Sequence, residues 1–142
     1  MNEWVERAWQ AAVASRENAH APYSRFPVGA TVKPAGQDLL ISGCNVENGS
    51  YGATVCAERV ALWRLVAEQG KQALDFVLVV TDTDPAAAPC AQCRQVMAEF
   101  APPDFTIYLA NLEGVQEDLR FSELLPRPFD PGCLPGSAEA GN

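Results

Sequence analysis

The order of helical and extended segments in the sequence predicts a single α/β sandwich. Apolar spacing indicates a helix, a hairpin and then two further helices that are each followed by a strand, an order typical of helices packed on a sheet. The 142 residues suffice for one domain, which at that length buries about 70% of its unfolded surface. Apolar residues make up 48% and charged residues 20%, a near-average composition that excludes a disordered or fibrous chain.

The N-terminal third predicts one helix and one β-hairpin. Residues 4–13 place apolar side chains at helical spacing with polar residues between them, which predicts a helix with one buried stripe that ends near Asn18. Extended runs over 28–32 and 39–42 flank the turn-forming residues 33–38. Two strands joined by such a segment form a hairpin.

The next segment, 57–67, is apolar on nearly every side. A helix of that kind belongs in the centre of a core, and Gly70 is well placed to end it. Trp63 lies in this helix, and we expect it to pack in the core as Trp4 and Trp9 do in the first helix.

The second half continues the alternation of strands and helices. Residues 76–80 form an uninterrupted apolar run, short enough for a strand that is buried on both faces. A loop over 82–89 leads to apolar residues at helical spacing over 93–100. Residues 105–109 predict another strand, and 115–120 predict a strand at the edge of the sheet.

Charge and hydropathy exclude several classes of function. The net charge of −8 and the pI of about 4.5 oppose a phosphate backbone, so we expect no nucleic acid partner and favour a small uncharged or cationic ligand. No apolar run reaches the ~18 residues of a membrane span. The N-terminal segment lacks the apolar stretch of a secretory signal.

The cysteines indicate metal or redox chemistry. Their number, five, is odd, and Cys90 and Cys93 form a CxxC pair. Without an export signal, this pattern favours a reducing compartment over a disulfide framework. The sequence therefore predicts a cytoplasmic location.

Three of these thiols stand at predicted helix starts. Cys56 precedes the central helix, and Cys90 and Cys93 open the next one. Helix N-termini favour thiolate over thiol, and three thiolates suit a zinc ion whose fourth position is left to water. Glu58 follows Cys56 by two residues, which places a carboxylate beside the metal as a proton carrier for that water.

Five segments stand out along the chain: APYSRFPVGA (21–30), GCNVENGSYG (43–52), CAER (56–59), PCAQCRQ (89–95) and ELLP (123–126) ahead of Phe129. In this order they resemble the short, single-domain cytidine deaminases that assemble as homotetramers. The resemblance implies a three-layer α-β-α sandwich around a mixed sheet of about five strands. It implies a zinc-dependent hydrolase of pyrimidine salvage that converts cytidine and 2′-deoxycytidine to uridine and 2′-deoxyuridine plus ammonia. Residues 1–129 would form the catalytic domain, and the Pro/Gly-rich residues 130–142 an irregular tail.

The resemblance also implies the roles of residues at the metal. Cys56, Cys90 and Cys93 would hold one zinc ion per chain, and Glu58 would move protons. Zn²⁺ with three thiolates sums to a charge of −1, which opposes deprotonation of a bound water. We therefore expect Arg59 to hydrogen-bond the thiolates.

Four residues would contact the sugar in a protein of this family. Asn45 and Glu47 look like the pair that grips the ribose hydroxyls, since an amide and a carboxylate together donate to and accept from a vicinal diol. Gly49 and Tyr51 would lie near the 5′-hydroxyl. Gly49 stands where the family usually has alanine, which matters little if the contact is made by the backbone.

Three residues would contact the base or the nucleoside as a whole. Phe26 would pack against the nucleoside from within the chain. The backbone N–H of Ala57 would meet the pyrimidine carbonyl, and Phe129 looks like the late aromatic that stacks on the base in a neighbouring subunit's site. The resemblance thereby also implies a homotetramer with shared active sites.

Other functions compete with this interpretation. A CxxC pair at a helix start also suits a thiol redox protein, and a structural zinc module would need a fourth protein ligand such as His20, Cys44 or Cys133. Within the deaminases, the rival substrates are a related nucleoside, a modified cytosine, and a nucleotide or RNA. The negative charge disfavours a nucleotide or RNA.

Overall fold

Four helices and five strands make up the regular structure of this computed structural model, which describes residues 2–101 and 104–136. The elements are α1 (Glu3–Arg16), β1 (Gly29–Pro34), β2 (Ile41–Cys44), α2 (Ala57–Gln69), β3 (Leu74–Val80), α3 (Ala91–Ala98), β4 (Thr106–Asn111), β5 (Gly114–Arg120) and α4 (Phe121–Leu124). The strands form one sheet in the order β2-β1-β3-β4-β5. Only β3 and β4 are parallel to each other among these neighbours, so the sheet is mixed. The predicted α/β fold with about five strands is confirmed.

The predicted hairpin and edge strand are also present. β1 and β2 pair antiparallel from Gly29 opposite Cys44 to Val32 opposite Ile41. β5 pairs with β4 alone and lies at the edge of the sheet. No helix in the described residues is long and apolar enough to cross a membrane.

Strand β3 lies at the centre of the sheet and is covered on both faces. Phe76, Leu78 and Val80 point into one core cluster, which they share with α1. Val77 and Val79 point into the other cluster, which they share with α2 and α3. Because successive strand residues face opposite sides, the continuous apolar run of β3 serves two cores, as the sequence predicted.

Helix α1 covers the first face with one apolar stripe. The side-chain oxygen of Asn2 accepts a hydrogen bond from the Trp4 backbone N–H at 2.8 Å and caps the helix. Val5, Ala8 and Ala12 are buried against the sheet. At the far end, a Cβ on Gly29 would lie 2.0 Å from the carbonyl oxygen of Ala12, so only glycine permits this close approach of β1 to the helix.

Helices α2 and α3 cover the second face, and here one prediction was wrong. The buried residues of α2 lie along one stripe: Ala57, Glu58, Ala61, Leu62 and Leu65. Trp63 is 51% exposed and Val66 is 40% exposed, so α2 does not lie in the centre of the core and Trp63 does not pack there. A helix that is apolar on all sides can be surrounded by its own chain or can leave one side exposed on the surface of that chain. The apolar pattern does not distinguish these two cases.

Apolar side chains of α2 and α3, together with Phe100 just after α3, line a groove that we call the α2–α3 patch. It is lined by Trp63, Val66, Ala67, Val96 and Phe100, with the charged Lys71 and Glu99 beside them. Exposed apolar side chains grouped in this way are a feature of surfaces that contact other molecules.

After α4 the described chain has little regular structure. One short 3₁₀ turn, Pro131–Cys133, interrupts irregular backbone up to residue 136. Residues 137–142 of the predicted tail lie outside the described residues, and the division into a domain of 1–129 and a tail of 130–142 stays a prediction.

Candidate active site

The three thiols singled out in the sequence converge in the fold. Cys56 is the N-cap of α2, Cys90 is the N-cap of α3, and Cys93 is buried in the first turn of α3. Their sulfur atoms all lie within 4.8 Å of one another. Both helices lie on the same face of the sheet and pack against each other, and this is why residues 34 or more positions apart meet.

The geometry of the cluster fits zinc. The sulfur atoms of Cys56 and Cys90 are 3.8 Å apart. Two sulfurs bound tetrahedrally to one zinc ion, with Zn–S bonds of about 2.3 Å, stand about 3.8 Å apart. Neither Cys56 nor Cys90 uses its side chain to cap its helix, so both sulfurs are available as ligands.

A partly buried cation, Arg59, accompanies the thiols. A guanidinium nitrogen of Arg59, Nη2, donates to the sulfur of Cys56 at 3.5 Å. The Cys93 thiol and Arg59 lower the pKa of Cys56 to about 5, against the opposing effect of burial. The hydrogen bond between the Cys93 thiol and Cys56, together with burial, raises the pKa of Cys93. The guanidinium therefore stabilises negative charge where the ligand sulfurs lie.

Glu58 is the acid–base candidate of the site. Its side chain is buried, with 4% of the residue exposed, and it interacts with Cys93. Burial raises the pKa of the Glu58 carboxyl to about 7, and the negative charge of Cys56 adds to this effect. A carboxyl group with a pKa close to neutrality is suited to both taking and giving a proton.

An open cleft of about 370 Å³ contains two of the predicted sugar contacts. It is lined by Tyr23, Ser24, Glu47, Tyr51 and Thr54. The rings of Tyr23 and Tyr51 meet edge to face at 5.7 Å between centroids. The volume lies in the range of small-molecule sites.

Within this cleft Glu47 organises the loop that precedes β1. One carboxylate oxygen, Oε1, accepts from the backbone N–H groups of Tyr23 and Ser24, each at 3.0 Å. The other oxygen, Oε2, accepts from the Ser24 hydroxyl. These hydrogen bonds, above all that of the Ser24 hydroxyl, lower the pKa of Glu47. The carboxylate is therefore ionised at neutral pH.

Asn45 braces the same loop from the other side. Its side-chain oxygen accepts from the Val28 N–H at 2.8 Å, and its amide nitrogen donates to the Phe26 carbonyl at 2.8 Å. Phe26 itself is exposed. Asn45 and Glu47, two of the predicted sugar contacts, therefore also hold the backbone of the loop that carries Phe26, the predicted aromatic contact.

Gly49 and Ala57 are two further predicted contacts, and the sequence did not indicate the surroundings of Gly49. A Cβ on Gly49 would lie 3.1 Å from the Tyr23 hydroxyl oxygen, so the missing methyl group makes room for Tyr23. Ala57 is the first residue of α2, where a backbone N–H has no acceptor within the helix.

The last predicted contact, Phe129, lies apart from the cleft lining. This residue is 58% exposed. Its backbone N–H donates to the Gln95 side-chain oxygen at 3.1 Å, and its carbonyl accepts from the Gln95 amide at 3.3 Å. Gln95 stands two residues after Cys93 on α3.

The sequence analysis did not identify the hydrogen bonds that Tyr23, Ser24 and Gln95 make at the site. Tyr23 and Ser24 lie in the quoted segment 21–30, and Gln95 closes the segment 89–95. Their positions within these segments were the available signal. Their partners, however, lie more than 20 residues away.

The competing interpretations fit the geometry less well. A fourth protein ligand would be needed for a structural zinc module, yet in the described part of the chain the cluster holds three residues and does not include His20, Cys44 or Cys133. A redox protein based on Cys90 and Cys93 leaves the third sulfur and the buried carboxyl beside it without a purpose.

Comparisons with known proteins agree with the zinc geometry. The family described as the cytidine and deoxycytidylate deaminase zinc-binding region matches residues 2–109. A cytidine deaminase of Halalkalibacterium halodurans is 47% identical over 118 residues, which cover 83% of this chain and 88% of that protein. One of Sporosarcina psychrophila is 40% identical over 135 residues, covering 95% and 98% of the two chains. The crystal structure of cytidine deaminase from Burkholderia pseudomallei superposes with a TM-score of 0.81 at 39% identity, covering 91% of this chain and 100% of that one.

Proposed function

The chain belongs to the cytidine and deoxycytidylate deaminase family, and from this premise we propose that it hydrolyses cytidine and 2′-deoxycytidine to uridine and 2′-deoxyuridine, releasing ammonia. The observation that carries the proposal is the three-sulfur cluster at two helix starts with one buried carboxyl group beside it. A single chain thus brings together residues suited to bind zinc and a residue suited to move protons.

Cys56, Cys90 and Cys93 hold the zinc ion in this mechanism. When bound, zinc lowers the pKa of a coordinated water so that it reacts as a nucleophile near neutral pH. Three thiolates outweigh the charge of Zn²⁺ by one unit. The guanidinium of Arg59 offsets that excess through its contact with Cys56.

Glu58 carries every proton of the reaction. It takes a proton from the attacking water and delivers it to N3 of the pyrimidine as the C4–O bond forms. It then takes the remaining hydroxyl proton and gives it to the C4 amino group, so that the C–N bond breaks, ammonia leaves and C4 becomes a carbonyl carbon. Water is the sole co-reactant, and a carboxyl pKa of about 7 suits both directions of transfer.

The sugar lies against Asn45 and Glu47 in this proposal, with Gly49 and Tyr51 near the 5′-hydroxyl. Each oxygen of a carboxylate can accept more than one hydrogen bond, so Glu47 retains acceptor capacity beyond Tyr23 and Ser24. Its ionised carboxylate and the net charge of −8 both disfavour a phosphorylated substrate. A bare nucleoside is the expected ligand.

We further propose a homotetramer in which subunits share active sites. The α2–α3 patch offers apolar side chains that the chain itself leaves open, and Lys71 and Glu99 beside them carry opposite charges that a two-fold contact would pair. Phe129 would supply its exposed ring to the base in a neighbouring subunit, while Phe26 and the Ala57 N–H contact the nucleoside from within the chain. The five free cysteines support a reducing, cytoplasmic location.

The test pairs zinc analysis with loss of cytidine absorbance on the same sample. The wild type is expected to carry about one zinc ion per chain and to release ammonia stoichiometrically with uridine formation. A panel of modified cytosine nucleosides separates cytidine from its rivals. Protein with no zinc and a Cys90–Cys93 disulfide would instead support the redox function.

The residue-level prediction is that Glu58→Gln retains zinc and lowers kcat by about 10²–10⁴-fold, the usual contribution of a positioned acid–base group. Glu68→Gln is the matched control, since Glu68 is exposed on the same helix. Near-normal turnover in Glu58→Gln would remove this residue from the mechanism.

A further inference from the structure

We propose that Gln95 is a positioning residue for nucleoside binding, because it fixes the point from which the Phe129 ring projects. The inference rests on the proposed contact between Phe129 and the base. It adds a residue that touches neither zinc nor nucleoside and acts through the main chain of Phe129.

The contact has the geometry of a two-point clip. The Gln95 side-chain oxygen accepts from the Phe129 N–H at 3.1 Å, and the side-chain nitrogen donates to the Phe129 carbonyl at 3.3 Å. One amide group therefore satisfies both backbone polar atoms of one residue. Two bonds between planar groups fix orientation as well as distance, which a single bond does not.

A second anchor lies one residue earlier on the same helix. Arg94 donates from Nη1 to the Leu124 carbonyl at 2.9 Å and from Nε to the Pro89 carbonyl at 2.8 Å. The chain between Leu124 and Phe129 is thus tied to α3 at both ends. Pro126 and Pro128 within it have restricted φ angles and no N–H, so the segment acts as a short, stiff spacer.

The helix that provides these anchors is the helix that carries two zinc ligands. Cys93, Arg94 and Gln95 are consecutive, and the backbone N–H of Arg94 donates to the Cys90 carbonyl at 3.0 Å in the first turn. The position of the tail is therefore set relative to the metal-binding turn of its own chain. In a shared site, the hydrogen bonds from α3 would therefore set where the Phe129 ring of one subunit lies in the site of its neighbour.

The clip matters because the ring itself is poorly held. With 58% of Phe129 exposed, the aromatic side chain has few contacts of its own within the chain. A residue that is ordered before the substrate arrives costs less conformational entropy on binding than one that must become ordered at that moment. Loss of the clip should raise KM while leaving zinc content and the proton transfers of Glu58 intact.

The experiment compares Gln95→Ala, Phe129→Ala and the double variant, with Gln10→Ala as control. Gln10 is an exposed glutamine on α1, far along the chain from the site, and its amide donates to Glu6 within the same helix. We expect Gln95→Ala to raise KM for cytidine about tenfold with kcat within twofold of the wild type and an unchanged zinc content. In the Phe129→Ala background the same substitution should change KM by less than about twofold.

Hydrogen exchange gives a readout that does not depend on substrate. The Phe129 amide should exchange faster in Gln95→Ala than in the wild type or Gln10→Ala. Gln95→Glu keeps the acceptor for that amide but loses the donor to the carbonyl, so its KM and exchange rate should fall between those of the wild type and Gln95→Ala.

Each other outcome contradicts a separate step. Unchanged exchange in Gln95→Ala would show that the clip does not hold Phe129. Faster exchange with an unchanged KM, while Phe129→Ala raises KM, would overturn the positioning role and leave the proposed function standing. An unchanged KM in Phe129→Ala would remove the contact between ring and base, and the role of Gln95 with it. Absence of cytidine turnover in the wild type would overturn the proposed function itself.

Discussion

The inner and outer parts of the candidate site differ in how completely a single chain builds them. Around the cysteine cluster, Cys93 and Glu58 are buried between two helix starts and the sheet. In the outer part, Tyr51 is 75% exposed, and the rings of Phe26 and Phe129 also face outward. The proposed proton carrier and one proposed zinc ligand thus lie in the core of one chain, whereas the surface proposed to enclose a nucleoside is still open in that chain.

The difference shows that two kinds of interaction hold the inner and the outer part in place. Helix N-termini, burial and the guanidinium of Arg59 organise the inner part, and they are features of the packed domain. Side-chain hydrogen bonds to loop backbone, from Asn45, Glu47 and Gln95, organise the outer part. Changes in the inner part should therefore affect zinc and kcat, and changes in the outer part should affect KM and assembly.

The largest effect in the inner part, apart from loss of Glu58, is expected for Arg59→Ala. Removing the guanidinium leaves the charge of the three thiolates unbalanced, and changes to groups that support metal ligands typically cost 10–100-fold in metal affinity or activity. Competition with a zinc chelator and kcat on zinc-saturated enzyme measure the two effects separately. Arg64→Ala is the matched control, because Arg64 lies on the same helix but is exposed and pairs with Glu68. Equal zinc retention and kcat in both variants would contradict the role of Arg59.

An intermediate effect is expected at the α2–α3 patch for Trp63→Asp. A carboxylate in an apolar contact is costly to desolvate, so the variant should form smaller assemblies than the wild type by light scattering. Its KM for cytidine should rise with that dissociation, because Phe129 would no longer reach a neighbouring site. Trp63→Phe keeps an apolar ring and should retain the native mass. An unchanged mass in Trp63→Asp would exclude this patch as the subunit contact.

The smallest effect is expected in the outer loop for Ser24→Ala. The Ser24 hydroxyl is the main cause of the lowered pKa of Glu47. A carboxyl group whose pKa is lower in the folded than in the unfolded state stabilises the fold above the unfolded pKa, here about 4.5, and loses this contribution as the pH falls through the folded pKa. Ser24→Ala should therefore reduce Tm at neutral pH, and the difference from the wild type should shrink as the pH falls below about 4.5.

Thermal unfolding at a series of pH values measures this change. Ser50→Ala is the control, because the Ser50 side chain makes no capping hydrogen bond at the 3₁₀ turn that it precedes. A Tm difference between Ser24→Ala and the wild type that stays constant down to pH 3 would show that Glu47 does not depend on the Ser24 hydroxyl.

The sequence by itself determined the elements and the inner part of the site. Apolar periodicity located α1, the hairpin, the doubly buried β3 and the edge strand β5, because each pattern depends only on neighbours in the chain. The spacing of Cys56 and Glu58 and the CxxC pair of Cys90 and Cys93 placed the thiols at helix starts. Residues this close in sequence lie on the same end of a helix whatever the rest of the fold is.

The tertiary structure alone decided which faces of the helices are buried within the chain. It also decided which hydrogen bonds hold the outer part of the site. The apolar residues of α2 predicted burial on all sides, yet apolar character does not say which molecule provides the cover, and Trp63 and Val66 remain exposed. The bonds from Glu47 to Ser24 and from Gln95 to Phe129 join residues 23 and 34 positions apart. Such contacts follow from where the folded sheet and helices bring distant segments together, and no local pattern in the sequence encodes that distance.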